Sequence, residues 1–158
     1  MKKKRILFGI LIVLVLLQFF QSHNNKQLEP SPNNIALKYD TPADVHEVLK
    51  RACYDCHSNN TKYPWYTYVQ PLGMWINHHV NEGKHHLNFD EFATYRDKKA
   101  SHKFEEIAES VTEGWMPMNS YLWIHKNAKL TKEEADKIAQ WANTHRNNIG
   151  APPENAMP

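Results

Sequence analysis

RACYDCHSNN (residues 51–60) contains both cysteines of the chain, Cys53 and Cys56, with His57 directly behind the second. Positions i, i+3 and i+4 share one face of a helix, so this spacing presents two thiols and an imidazole on one side. The stretch before it predicts the helix that carries them. Thr41-Pro42 reads as an N-cap followed by proline at the first helical position. Val45, Val48, Leu49 and Ala52 then recur at i, i+3, i+4 and i+7, an apolar face that runs into Cys53.

The pattern downstream is helical as well. Pro71 opens a segment with Leu72, Trp75, Ile76 and Val80 inward and Gly83 as its stop. Asn88 and Glu91 predict a capping pair for a short helix through Tyr95. Phe104, Ile107, Ala108 and Val111 form the face of the next helix, from Ser101 to Gly114. Thr131 and Glu134 make a capping box for the last, whose inner face is Ala135, Ile138, Ala139 and Ala142. No alternating strand pattern and no internal repeat occurs. The fold class expected is all-α, with one domain over residues 41–147.

Charge excludes one function class. The formal net charge is +2, but residues 41–147 hold 13 Lys/Arg against 14 Asp/Glu. The excess comes mostly from Lys2, Lys3, Lys4 and Arg5. No basic stripe is left to track a phosphate backbone, so nucleic acid is not an expected partner. Those basic residues precede ILFGILIVLVLLQFF (6–20), the arrangement of an export signal. At ~1.5 Å per residue the run covers roughly 22 Å of a ~30 Å hydrocarbon core, a gap that snorkelling lysines can close. Phe20-Gln21-Ser22 puts a bulky residue where a cleavage site wants a small one, and no A-x-A site follows. An uncleaved membrane anchor over 1–22 is therefore expected, with a cleaved signal peptide as the alternative. The positive-inside rule then puts the rest of the chain outside the cytoplasm, anchored to the inner membrane and facing the periplasm, or free in the periplasm if the signal is cleaved. Residues 23–40, rich in Asn, Gln and Pro, read as a flexible linker, and 148–158 as a disordered tail.

The thiol pair admits several chemistries. A disulfide would close a very small loop and stabilise little by chain entropy. A thioredoxin-like pair belongs beside a βαβ pattern. A four-ligand zinc site needs a second ligand pair, for which His78/His79 and His85/His86 are the candidates. C-x-x-C-H is the pattern of c-type haem attachment. Both thiols reach the vinyl groups on one side of a porphyrin, and the next histidine is carried under the ring. Haem of this type is attached outside the cytoplasm, which the N-terminal segment independently satisfies. Cys53 and Cys56 are accordingly expected to hold one covalent haem c, with His57 as proximal iron ligand. A thioether or imidazole can take the opposite face. The chain offers Met74, Met116, Met118 and, in the tail before Pro158, Met157, and the domain offers eight further histidines.

A helix leading into CYDCH, then Gly-x-Met-Pro, then LTKEEADKIAQW as the last helix resembles class I cytochrome c. CYDCHSNNTKYPWYTYVQPLGMWINHHVNEGKHHLNF more closely resembles the haem-binding domain family of bacterial exported proteins. The resemblance covers about residues 40–146. It implies a cytochrome c-like helical domain around one haem, with Met116, the methionine before the proline, as distal ligand. Met118, His78 and His79 are the alternatives. It also implies a backbone carbonyl for the proximal histidine, from the region of Pro64 or Pro71. Tyr63, Trp65, Tyr66, Tyr68, Trp75, Trp115 and Trp123 are expected to wall the pocket.

The function expected is a membrane-tethered monohaem c-type cytochrome, an electron carrier rather than an enzyme, serving redox partner proteins. The alternative is a five-coordinate haem sensor or a peroxidase-associated haem domain. A self-contained dihaem peroxidase would need a second C-x-x-C-H.

Overall fold

The computed structural model describes residues 2–21 and 24–149. The tail expected over 148–158, Met157 included, lies outside them except for Asn148 and Ile149. Seven α-helices are present among the described residues and no strand, only an isolated bridge between Lys26 and Asn60. The all-α class is thus observed. The helices are α1 (Lys2–Leu17), α2 (Ala43–Ala52), α3 (Tyr54–His57), α4 (Leu72–His86), α5 (Asp97–Thr112), α6 (Asn119–Leu122) and α7 (Lys132–Asn148).

α5 and α7 form the scaffold and pack along each other, with α2 laid across α7. Their apolar faces are those the periodicity predicts. Val45 and Leu49 of α2, Phe104, Ile107, Ala108 and Val111 of α5, and Ile138, Trp141 and Ala142 of α7 are buried together, and Ala52 of α2 is buried as well. The capping box of α7 forms as read. Thr131 Oγ1 accepts from Glu134 N at 3.2 Å, and Glu134 Oε2 accepts from Thr131 N at 2.9 Å. Gly114 ends the α5 region at φ +75°, a conformation that favours glycine.

Four elements depart from the sequence reading. α5 starts at Asp97, four residues before Ser101. α2 starts one residue later than expected. Pro42 occupies the N-cap position with no side-chain bond, while Thr41 Oγ1 donates to Tyr39 O. α4 runs three residues past Gly83, because that glycine is a packing contact and not a stop. Asn88 does not cap a helix. Its side chain accepts from Asp90 N, and only a 3-10 turn, Phe92–Thr94, follows.

The larger correction concerns the segment read as a linker. Residues 24–40 lie against the domain, and Ile35 is 0% exposed. Phe89 joins this segment to α3. Its N–H donates to His57 O at 2.8 Å, and its carbonyl accepts from Ile35 N at 2.8 Å. Asp90 receives Asn34 Nδ2 at 2.7 Å and Asn59 N at 2.8 Å, and Asn25 Nδ2 donates to Ser58 O at 2.8 Å. Tyr39 then enters the α5–α7 core. The asparagines that suggested a tether are partners in a side-chain-to-backbone network.

α1 has 16 residues, about 24 Å at ~1.5 Å per residue. Its apolar side chains, Ile6 through Leu16, are exposed on every side. No helix among the described residues is long and apolar enough to cross a membrane.

Candidate functional site

The two cysteines and His57 sit where α2 gives way to α3. Cys53 N donates to Leu49 O at 2.9 Å, closing α2. The Cys53 carbonyl then accepts from both Cys56 N (3.1 Å) and His57 N (3.0 Å), opening the single turn of α3. The bend falls on Cys53 (φ −124°, ψ −38°), so the motif spans a helix junction and not one straight helix. The thiols consequently open onto different cavities.

Cys53 lines the smaller cavity, about 390 Å³ including space open to solvent, together with His57, Leu49, Val111, Met116 and Pro117. Cys56 lines a larger apolar cleft of about 610 Å³, also partly open to solvent, with Tyr66, Ile76, Val80, Met118 and Tyr121. The two spaces meet at the 116–118 loop, whose Met116 faces one and Met118 the other. That loop is held by Met116 N donating to Ser110 O at 3.2 Å.

His57 Nδ1 lies 3.0 Å from Leu87 O. Burial pushes the imidazole pKa down, against the opposing pull of the Leu87 and Gly83 carbonyls. The neutral ring therefore carries its proton on Nδ1, where it donates to Leu87 O, and Nε2 keeps a lone pair. This is the arrangement in which a ligating histidine is oriented by its other nitrogen. The carbonyl comes from Leu87, just past the end of α4, and not from the region of Pro64 or Pro71.

Both thiols are unpaired. Burial raises Cys53 to about 12 and Cys56 to about 11, the second helped by Asp55. A dithiol redox centre needs the opposite shift. Among the described residues no group of three or more His, Cys, Asp or Glu converges as a metal cluster, so the histidine pairs do not complete a zinc site with the cysteines.

The motif is fastened from three sides. Asp55, between the cysteines, accepts from Tyr121 OH at 2.7 Å and from Lys62 N at 3.2 Å. Its carbonyl accepts from Thr61 Oγ1 at 2.7 Å. Arg51 donates to Asn127 O and to Glu134, the residue that caps α7. Third, α4 crosses α3 at Gly83, where an added Cβ would stand 2.7 Å from Cys56 O. Gly83→Ala ordinarily gains about 1 kcal/mol of helix propensity. Here the backbone contact should dominate, and the variant should be destabilised by roughly 1–3 kcal/mol. A denaturant midpoint equal to or above wild type would refute the close approach of α4 to the motif.

The other expected residues divide. Of the alternative ligands, His79 lines the larger cleft with Cys56, whereas His78 is exposed. Of the aromatic wall, Tyr66 and Trp75 line that cleft. Trp65, Tyr68, Trp115 and Trp123 are exposed, and Tyr63 OH accepts from Asn25 N at 2.8 Å. Sequence reading missed His125, which stacks on Tyr121 with ring centroids 4.0 Å apart and meets Tyr66 OH at 3.0 Å through Nε2. Its spacing four residues after Tyr121 was the available signal.

The chain belongs to the haem-binding domain family, whose sequence model matches residues 12–144. Haem is therefore its ligand class. No curated protein and no solved structure matches the chain. The residues fit the group: two free thiols, a neutral imidazole with Nε2 unprotonated, and apolar walls on both cavities.

Proposed function

We propose that the chain is a membrane-tethered monohaem c-type cytochrome that carries electrons between redox partner proteins outside the cytoplasm. One observation carries this reading. His57, oriented by Leu87 O, lines the same cavity as Cys53 and Met116. Haem bound there supplies a one-electron iron couple.

In this reading Cys53 and Cys56 would hold the haem as thioethers, and His57 Nε2 and the Met116 sulfur would be the protein's two iron ligands. Leu87 O keeps the imidazole in one tautomer and one orientation through reduction and oxidation. The apolar side chains of Leu49, Val80 and Val111 border the site, and a low dielectric around the iron would be a lever on its potential. With both of these residues as ligands the iron would have no position for substrate, which is why a carrier is preferred to a sensor or peroxidase-associated domain. Lys2 to Arg5 in the first turn of α1, followed by its apolar residues 6–17, support tethering, with the lysines snorkelling to the interface. The inner membrane and the periplasm follow from the basic residues staying inside.

Met116→Ala tests the distal assignment. It should abolish the near-infrared sulfur-to-iron band of the oxidised protein and open the iron to carbon monoxide. The potential should fall on the order of 0.1 V, within the ~0.8 V range that axial ligands command. Met118→Ala should do none of these. A band that survives Met116→Ala would move the ligand to Met118, and a wild type that lacks the band and binds no carbon monoxide would move it to His79. Ready carbon monoxide binding by the wild type would favour the five-coordinate sensor.

A further inference from the structure

We propose that the face formed by the 3-10 turn Trp65–Tyr68 and the first turn of α4 rests in the headgroup layer of the membrane that holds α1. The inference depends on the tethered reading above and adds an orientation to it. Its first support is a built joint. The side-chain amide of Gln18, one residue past α1, pairs both ways with the backbone of Gln70. Gln18 Nε2 donates to Gln70 O at 3.0 Å, and Gln70 N donates to Gln18 Oε1 at 3.0 Å. Gln21 Nε2 adds a bond to Tyr68 O at 3.3 Å, and Asn24 Nδ2 reaches Tyr68 OH at 3.5 Å. Gln70 is only 3% exposed, so this is a packed junction and not a brush between surfaces.

The joint fixes a depth. Leu17 ends the apolar helix, and one hydrogen bond separates Gln18 from the 65–75 face. The interfacial layer extends roughly 5–8 Å beyond the hydrocarbon on each side. If α1 is in the bilayer, residues bonded to Gln18 and Gln21 lie in that layer.

The face has the chemistry for it. Trp65 is 78% exposed, and Tyr68, Val69, Met74 and Trp75 are all exposed by about half (47%, 46%, 47% and 45%). YPWYTYVQPLGMWI (63–76) contains no charged residue. Tryptophan and tyrosine favour the headgroup level, where the ring is partly apolar and the polar edge stays wet. A patch of this kind on a water-facing surface would be an association hazard. Lipid is the occupant already brought to it by α1.

The test uses the full haem-loaded chain in phosphatidylcholine–phosphatidylglycerol vesicles. Two diazirine lipids are compared, one reactive in the acyl chain and one in the headgroup, with adducts mapped by mass spectrometry. The expected result is acyl-chain adducts on α1 and headgroup adducts concentrated on residues 63–76. The Val69→Glu/Met74→Glu variant, checked for wild-type helical circular dichroism, should keep the first and lose most of the second. Acyl-chain adducts on α1 without headgroup adducts on 63–76 would overturn the orientation and leave the tether standing. So would headgroup adducts spread evenly over the domain, or unchanged by the two glutamates. Absence of acyl-chain adducts on α1 would remove the tether and the orientation with it.

Discussion

A chain with both Cys53 and Cys56 changed to alanine should carry no haem after denaturation, where the wild type keeps its full complement. The expectation rests on two unpaired thiols bordering cavities that meet at the 116–118 loop, in a chain of the haem-binding domain family. Mass spectrometry of denatured protein, expressed with a working c-type maturation system, measures it directly. Single variants should retain one bond and an altered spectrum, and His57→Ala should keep the mass while losing the proximal ligand. The loss should extend to folding. A haem tethered by two thioethers would pack against Leu49, Val111, Ile76 and Val80 only in the folded chain, and the double variant would lose that apolar burial. The double variant is expected to lose much of its helical circular dichroism. A wild-type chain at its apo mass would sink covalent attachment, and a double variant with an unchanged, sharp melt would sink the dependence of folding on haem.

Phe104→Ala should be the most damaging single change away from the site, by about 3–5 kcal/mol. Against a typical total of about 5–15 kcal/mol, that is enough to unfold a sizeable fraction of the chain. Phe104 is 0% exposed and receives Tyr39 edge-on at 5.0 Å, Phe92 at 4.9 Å and Trp141 at 5.5 Å between centroids, with His145 stacked at 5.3 Å. Removing the ring leaves four aromatic neighbours around a void, none on a segment free to collapse. Trp141 Nε1 and His145 Nε2 are both bonded to Asp40 O, at 2.9 and 2.7 Å. Guanidinium unfolding followed by circular dichroism should show the midpoint fall, with Phe104→Leu recovering most of it. A change within about 1 kcal/mol would mean that the cluster is looser than its geometry implies.

The parts legible in the sequence are those with a period. α2, α5 and α7 follow from apolar faces, and α7 also from Thr131 and Glu134, because burial and capping both leave marks on residue type. The same holds for Cys53, Cys56 and His57, whose spacing is itself the signal. Leu87 as the partner of His57 could not be read, since a backbone carbonyl has no preferred side chain. Gly83 looked like a helix stop because glycine signals both a terminus and a close approach, and only the position of Cys56 O separates the two. Residues 24–40 were misread for a related reason. Their order comes from Asn25, Asn34 and Ser31 bonding to distant backbone and to Asp90, with only Ile35 and Tyr39 deeply buried, and such pairing has no periodicity.

The packing of residues 24–40 decides where the chain can be cut. A soluble fragment designed from helix boundaries alone would start near Thr41. It would discard Ile35, whose N–H donates to Phe89 O, and Tyr39, which meets Phe104 edge-on in the aromatic cluster. A fragment starting at Asn24 removes α1 and keeps the strap that holds His57 O, Phe89 and Ile35 in one hydrogen-bonded line.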